Sequence, residues 1–388
     1  MTHVTHDPTS LTFLHTADWH IGHSFFHLER DMRKKLRQAI FRTIEMIFLY
    51  ARQSGIPLIL CAGDTLDNGQ WGSKDDVHAL FHIIRKYPAI RVVTIAGNHD
   101  ALLNRNIYSQ IEKAHFPPNL VLIEGNDVLD YPEWNLTIFA ESVREKNTTS
   151  NPLNWINEKA IDPKKINIGL GHGRIDPGFA FEHGLDYLAL GGNHSYQTIN
   201  DRTFYPGVPE PLTFDDNGAV LQVTVTAPEK KLTVERAPIE SQYRWKRMHE
   251  QVNEDTFPDF KSTLEKRDEK EIRELTVSGC LPLETYTAYR ELLGKNRTHG
   301  MDIRDHVVMK PDEHAFPHSV DGCMNGVIRR LLELKQSNEP LPEGIVNPYV
   351  SIERTEVHRR VNELKGDRDA MIDSALMQVY HYLKEKGK

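Results

Sequence analysis

The sequence has few cysteines and no long apolar run. Its 388 residues include only Cys61, Cys280 and Cys323, which lie far apart without the paired spacing of a zinc site. A disulfide scaffold is therefore disfavoured, and a reducing compartment is expected. No segment reaches the length needed to cross a membrane, and the polar N-terminus has no signal-peptide core. We therefore predict a cytoplasmic protein that does not engage a membrane.

Positive charge is also in short supply. The chain has 47 basic and 55 acidic residues, which gives a formal net charge of −8. Any contact with nucleic acid must therefore use a local basic patch or bound cations. The overall charge neither requires nor excludes DNA. The length and the ordinary 39% hydrophobic content are typical of a globular protein with two or three domains.

Short apolar runs alternate with helical patterns near the N-terminus. The runs at residues 11–15, 58–62 and 90–95 predict strands, and apolar spacing over 32–52 and 75–86 predicts helices between them. This order predicts a largely parallel sheet that is covered by helices, with a ligand site at its carboxyl edge. Two later apolar runs, at residues 166–170 and 187–190, predict two further strands.

Polar side chains follow each of these five predicted strands. They are, in chain order, Asp18 and His20, Asp64, Asn98 and His99, His172, and His194. A site for two cations requires a bridging carboxylate and a mixture of oxygen and imidazole ligands, and this set contains both. The alternative that some of these groups cap the following helices remains open. The ordered set favours a two-metal site.

The ordered motifs resemble those of a known family. Asp-x-His, Gly-Asp, Gly-Asn-His-Asp, Gly-His and a late His, over residues 11–206, resemble the calcineurin-like metallophosphoesterases. More narrowly, the segments 15–22 and 62–67 look like those of the SbcD nucleases. This resemblance implies an α/β fold, namely a four-layer αββα sandwich with a smaller α+β capping domain and a C-terminal helical segment.

The same resemblance implies the roles of individual residues. It implies two metal sites that share a bridging Asp64, the first completed by Asp18, His20 and His194 and the second by Asn98 and His172. His99 would donate a proton to the leaving oxygen or hold the phosphate. Manganese is the expected metal, with magnesium as the alternative. The implied reaction is in-line hydroxide attack on phosphodiester bonds at DNA ends.

One position departs from the family pattern. The family has Gly-His-x-His where this chain has Gly191-Gly192-Asn193-His194, so that Gly192 replaces a ligand of the second metal. We expect weaker occupancy of that site, with water or Asn193 as the substitute donor. The loss could lower turnover, narrow the substrate range, or leave a DNA-binding subunit with little activity. A phosphodiesterase acting on nucleotides or other small substrates is a further alternative.

The remaining chain is assigned by position and pattern. We predict a nuclease domain at 1–238, a capping domain at 239–335 that narrows access to DNA ends, and a linker with a helical segment at 336–388. In SbcD-like proteins such a segment docks on an SbcC-like coiled-coil ATPase. An apolar stripe around Ile372 and Leu376 would suit docking or packing within its own domain. A homodimer is left open, and residues 300–326 are expected to be irregular.

Two acidic residues allow two interpretations each. Asp67 could orient a metal ligand, or it could cap the following helix. Asp100 could fix the imidazole of His99, or it could form the turn that follows the strand.

Overall fold

A computed structural model describes residues 10–68, 73–102, 106–145, 151–158, 161–266, 268–296, 301–310, 322–337 and 368–386. Internal contacts divide the chain into two units, the first formed by 1–246 with 270–272 and the second by 247–269 with 273–388. The three-domain division remains a prediction, and most of its linker lies outside the described residues. Within those residues, no helix combines the length and the apolar character that a membrane crossing needs.

The strands and helices are numbered in chain order. The strands are β1 (Ser10–Thr16), β2 (Leu58–Cys61), β3 (Arg91–Thr94), β4 (Leu120–Leu122), β5 (Asn126–Tyr131), β6 (Leu136–Glu141), β7 (Ile166–His172), β8 (Tyr187–Gly191), β9 (Gln197–Asn200), β10 (Thr203–Tyr205), β11 (Leu221–Thr226), β12 (Lys231–Arg236), β13 (Arg244–Val252), β14 (Glu271–Pro282) and β15 (Met301–Lys310). The helices are α1 (Arg30–Gln53), α2 (Lys74–Arg85), α3 (Phe179–Glu182), α4 (Phe257–Glu265), α5 (Leu283–Asn296), α6 (Gly322–Gln336) and α7 (Arg368–Lys386).

The first unit contains two six-stranded sheets. One has the order β12-β11-β1-β2-β3-β4, and the other has the order β5-β6-β7-β8-β10-β9. Strands β1 to β4 pair in parallel, and so do β6, β7, β8 and β10. Antiparallel strands complete both sheets: β11 and β12 in the first, and β5 and β9 in the second. Both sheets therefore have several carboxyl strand ends at one edge.

Successive side chains of a strand point to opposite faces of its sheet, and this alternation explains how the sheets and helices form layers. Leu11 and Phe13 of β1 pack against Ile168 of β7 in a core between the two sheets. Leu14 points the other way, toward the core formed with α1 and α2. The outer face of the second sheet packs against Phe179 of α3 in another buried cluster. These four layers confirm the αββα sandwich.

Helix α1 shows why the first sheet is covered. Its buried side chains recur every three or four residues, as at Leu36, Ile40, Ile44 and Ile47. The opposite face is left to polar and charged residues. Because the apolar stripe can be buried only against the sheet, this spacing fixes the rotation of the helix about its own axis.

The second unit contains a three-stranded sheet, β13-β14-β15, and the remaining helices. Strand β15 corrects the expectation of irregular structure from residue 300 onward. Met301, Val307 and Met309 are buried, and β15 pairs in parallel with β14. The intervening charged residues hide this strand from a search for apolar runs. Pairing with β14 therefore decides the conformation here.

The apolar stripe of α7 packs inside its own unit. Ile372 and Leu376 are buried in the cluster that also contains Leu331 of α6. An ion pair between Lys335 and Asp373, 2.8 Å apart and largely buried, joins the two helices. The intramolecular alternative thus accounts for the stripe. Docking of an ATPase on this segment remains a prediction that would have to use the exposed side of α7.

Candidate metal centre

Seven side chains predicted from the sequence lie at the carboxyl ends of strands in both sheets. Strands β1, β2, β3, β7 and β8 lead to or end in Asp18, His20, Asp64, Asn98, His99, His172 and His194. The loops after β1 and β2 are joined side by side by backbone hydrogen bonds. The amide of Asp18 donates to the carbonyl of Gly63, and that of His20 to the carbonyl of Asp64, both at 3.0 Å.

Three of these residues have an unusual backbone. Asp18, His20 and Asp64 have φ angles of 53°, 44° and 51°, in the left-handed region that residues other than glycine rarely adopt. Such conformations cost free energy and persist where the surrounding structure imposes them, which is often at functional sites. Here they turn successive side chains toward one point.

Asp64 lies at the centre of the cluster. Its Oδ2 is 3.4 Å from Nε2 of His172 and 3.9 Å from Nε2 of His20. Its Oδ1 accepts a hydrogen bond of 2.7 Å from the backbone amide of His99. Within the described residues, two groups have ligand atoms within 4.8 Å of one another, and both contain Asp64: His20, Asp64 and His99, and Asp18, Asp64 and His172. Asp64 is thus the residue common to both groups.

Three histidines of the cluster are each held by the Nδ1 atom. The acceptors are a carboxylate for His20 (Asp67, 3.1 Å) and His194 (Asp216, 3.3 Å), and a carbonyl for His172 (Ala62, 2.7 Å). Because these oxygens can only accept, Nδ1 must carry a hydrogen atom. In the neutral ring the lone pair is then on Nε2. All three Nε2 atoms face the interior of the cluster.

These inward-facing atoms test whether a metal ion fits. Nε2 of His20 is 3.1 Å from Nε2 of His194, and Nε2 of His172 is 2.9 Å from the amide oxygen of Asn98. Lone pairs at these distances repel one another unless a cation or a proton lies among them. Imidazole nitrogens with carboxylate and amide oxygens are ligands of divalent transition metals. The donor set fits such an ion.

The charges of the cluster also indicate that a divalent metal ion fits here. Burial raises the pKa of Asp18 to about 7, and the neighbouring carboxylate of Asp64 adds to this. Burial alone would lower the pKa of His172, but the charge and hydrogen bond of Asp64, the charge of Asp18 and the hydrogen bond to Ala62 together outweigh it and raise the pKa to about 9. Without a cation, protons balance the buried carboxylates. A divalent ion would supply that positive charge and leave both carboxylates ionised.

Two glycines allow the loops to approach one another. A Cβ atom on Gly97 would overlap Oδ1 of Asp64 and would lie 2.6 Å from Cε1 of His172. A Cβ atom on Gly191 would overlap the carbonyl oxygen of Ala62, which holds His172. Only glycine can occupy these positions without displacing a ligand.

Gly192 faces the same point. Its φ is +97°, and a Cβ atom there would lie 3.0 Å from Nε2 of His172. Its amide donates to both carboxylate oxygens of Asp18, at 3.0 and 3.1 Å. Asn193 was expected as a substitute donor, but its amide nitrogen donates to Gln197 and its oxygen accepts from Ser195. Both ends of the amide thus have partners, and a contact between Asn193 and a metal remains a prediction.

The structure assigns both uncertain acidic residues. Asp67 orients His20, while Ser73 caps α2. Asp100 is buried and accepts hydrogen bonds from the backbone amides of Thr65, Leu66 and Gly97, so it joins two loops. The ring of His99 instead donates from Nδ1 to the carbonyl of Asp67, at 2.9 Å.

Sequence analysis missed Asp216, which positions His194. This aspartate also accepts hydrogen bonds from the amides of Leu212 and Thr213. Its place in Asp-Asn-Gly is a signal for a turn, and turn residues are common without any ligand-orienting role. The sequence offered no second signal that would have distinguished it.

Comparison with known proteins agrees with this geometry. The chain is 26% identical over 243 residues to the uncharacterized metallophosphoesterase YhaO of Bacillus subtilis. The matched region covers 54% of this chain and 56% of that protein. The chain is 24% identical over 241 residues to the DNA double-strand break repair protein Mre11 of Methanopyrus kandleri, covering 53% and 51%. One subunit of the nuclease SbcCD of Escherichia coli is 28% identical over 97 residues, covering 25% and 23%.

The chain spans about half the length of the first two of these relatives, 56% and 51%, and less of the third. A sequence profile described as calcineurin-like phosphoesterase matches residues 11–220, which is more than half of the chain and includes every side chain of the cluster. Members of this family bind divalent metal ions, and the donor set fits such ions. The chain belongs to the calcineurin-like phosphoesterase family.

Proposed function

We propose that this protein is a metal-dependent DNA nuclease of the SbcD type, which hydrolyses phosphodiester bonds at DNA ends. The proposal is carried by the position of Asp64. This residue belongs to both groups of candidate ligand atoms, as expected of a carboxylate that bridges two metal ions. The similarity to a break repair protein and to part of a nuclease supports DNA as the substrate.

The proposed ligands divide between two ions. Asp18, His20 and His194 would hold one ion, Asn98 and His172 would hold the other, and Asp64 would bridge them. Two divalent ions, which we propose to be Mn²⁺ with Mg²⁺ as the alternative, supply a nucleophile at neutral pH and neutralise charge on the phosphate. The protein contributes the fixed directions of the Nε2 atoms, which the acceptors on Nδ1 impose.

His99 is the proposed catalytic residue. Its Nδ1 is bound to the carbonyl of Asp67, so Nε2 is the atom left to meet a substrate. The side chain is 36% exposed, in contrast to the buried ring of His20 beside it. A protonated Nε2 can donate to the leaving oxygen or hold a phosphate oxygen. The hydrogen bond from its backbone amide to Oδ1 of Asp64 keeps the residue at the edge of the cluster.

We propose DNA and an SbcC-like coiled-coil ATPase as partners, in DNA repair or DNA processing. The proposal for the ATPase rests on the similarity to one subunit of the nuclease SbcCD alone. The second unit would then act as the capping part that restricts access to DNA ends.

The proposed activity can be tested with purified protein on linear and hairpin DNA. We expect Mn²⁺ to produce shortened linear strands and opened hairpins, and we expect protein treated with a chelator to leave both substrates intact. Nucleotide diesters serve as the comparison. Efficient hydrolysis of these diesters, with linear and hairpin DNA untouched under the same conditions, would contradict the DNA nuclease proposal and favour the small-substrate alternative.

Gly192 supports a second candidate, a weakly active DNA-binding subunit with an impaired second metal site. Substituting Gly192→His should add a donor beside Nε2 of His172 and raise the number of tightly bound Mn²⁺ ions, as counted by mass spectrometry. The backbone at φ +97° would strain any side chain, at about 1–3 kcal/mol of folding free energy. Gly192→Ala is the matched control because it has similar strain without an imidazole.

The outcomes separate the two candidates. If the wild-type protein holds two ions and cleaves DNA, the second site needs no further donor. If it holds one ion and Gly192→His binds two while Gly192→Ala binds one, the impaired subunit is supported. Equal metal content in both variants would mean that position 192 does not contribute to a metal site.

A further inference from the structure

A basic groove runs along the N-terminal part of α1. It has a volume of about 430 Å³ and is lined by Ser24, Arg30, Arg33, Lys34, Arg37, Gln38, Phe41 and Asp76. Four of these residues are basic and one is acidic, in a chain whose formal net charge is −8. The groove is therefore a local exception to the overall charge.

The basic residues form one stripe on the helix. Arg30, Arg33, Lys34 and Arg37 have the spacing i, i+3, i+4 and i+7, which places them on one face. Like charges at this spacing repel one another. Cations in the first turns of a helix also oppose the helix dipole. This arrangement destabilises an isolated helix, and a bound anion would reverse both effects.

The pairing of these side chains is incomplete. Arg37 donates to Asp76 at 3.0 Å. The Nε atom of Arg33 is buried and has no hydrogen-bond partner in the part of the chain that the structure describes. That atom is closed to the groove, whereas a phosphate can be bound by the guanidinium nitrogens of an exposed arginine such as Arg30. The groove therefore has positive charge that its single carboxylate, Asp76, does not balance.

The groove lies close to the metal centre in sequence. Ser24 lies four residues after His20. Gly22 lies only two residues after His20 in the sequence. A Cβ atom on Gly22 would be 3.4 Å from Oδ2 of Asp76, which lines the groove. From Arg30 to Arg37 the helix rises about 10 Å, which exceeds the size of a single phosphate group. A chain of phosphates fits this length better than an isolated one.

We infer that this groove binds successive backbone phosphates of the nucleic acid whose scissile bond lies at the metal centre. The inference rests on the proposed nuclease function and adds to it a second, metal-independent contact. Arg30, Arg33 and Lys34 supply the charge, and Arg37 is partly neutralised by Asp76. The groove positions the strand and does not take part in bond cleavage.

The test is a double substitution of exposed groove residues, Arg30→Gln with Lys34→Gln. The matched control is Lys35→Gln with Arg42→Gln, which removes the same charge from exposed positions of the same helix outside the groove. DNA affinity is measured by fluorescence anisotropy over a range of salt concentrations. Hydrolysis of bis(p-nitrophenyl) phosphate reports the metal centre because this diester has a single phosphate and lacks the successive phosphates that the groove would bind.

We expect the groove variant to bind duplex DNA about tenfold more weakly at 0.15 M salt, with the slope of log K against log salt reduced by about 1.8, since each phosphate contact contributes about 0.9. Hydrolysis of the small diester should not change. The control variant should retain the wild-type slope. Arg33→Gln is a third variant, which should also weaken the binding of duplex DNA.

Three results would overturn the inference in distinguishable ways. If the groove variant and the control lose affinity equally, the effect is one of general charge and the groove is not a site. If the wild-type protein binds and cleaves DNA and the groove variant equals it, the groove is excluded while the nuclease proposal stands. If the wild-type protein hydrolyses the small diester but binds no DNA, both proposals fail.

Discussion

Replacing Asp64 by asparagine is expected to lower kcat/KM at least about 10³-fold, because a bridging ligand supports charge stabilisation worth several kcal/mol. Asparagine is nearly isosteric with aspartate, and its oxygen can still accept the hydrogen bond from the amide of His99. The change therefore removes the negative charge shared by both ligand groups and leaves the loop in place. Steady-state hydrolysis of a phosphodiester with saturating Mn²⁺ is the measurement.

Thermal unfolding distinguishes loss of the metal from loss of the fold. In wild-type protein, Mn²⁺ at 100 times its dissociation constant should stabilise the folded state by about 2.7 kcal/mol. Asp64→Asn should show little of this stabilisation. Without metal, the variant should be less stable than wild type at neutral pH, because burial opposes ionisation of Asp64 but the neighbouring histidines outweigh it and lower its pKa to about 2, so the charged carboxylate stabilises the folded state. Wild-type activity in this variant would contradict the central role of Asp64.

Replacing Gly97 by alanine is expected to destabilise the protein by about 3 kcal/mol, at the upper end of the cost of overpacking. The added methyl group would overlap Oδ1 of Asp64 and would lie 2.6 Å from the backbone nitrogen of the same residue. Because one of these atoms belongs to the backbone, a change of side-chain rotamer cannot relieve both contacts. Denaturant unfolding without metal measures the loss of stability.

The same substitution should reduce activity at least about 100-fold, since displacing a ligand by as little as 1 Å is that costly. Gly294→Ala is the control, because a methyl group there meets no atom within 4 Å. It lies in a helix, where alanine is favoured over glycine. If Gly97→Ala were as stable and as active as this control, the close approach at Gly97 would not be needed.

The candidate site could be predicted from sequence because its residues follow the strands. Asp18, Asp64 and Asn98 each come directly after a buried apolar run, and parallel strands bring such ends to one edge. The αββα sandwich came from the resemblance of the ordered motifs to a known family. Periodicity alone gave a largely parallel sheet, and it did not reveal that a second sheet completes the site through His172 and His194.

The supporting residues could not be predicted in the same way. Asp67, Asp100 and Asp216 each stand in a local pattern that equally describes a turn or a cap, and only the fold decides which atoms each one meets. The groove on α1 was missed for a different reason. In the sequence, its basic residues have the pattern of an ordinary solvated helix face. Only the structure shows that Ser24 and Asp76 line a groove together with them.

The Nδ1 anchors have a practical consequence for the ion itself. His20, His172 and His194 are each aimed by an oxygen atom of the protein, so their directions do not depend on what occupies the centre. We therefore expect that one divalent ion at this centre can be exchanged for another. Dialysis against a chelator and then against cobalt, nickel or magnesium should return a folded protein each time, and the same polypeptide can serve to compare the intrinsic reactivity of different cations.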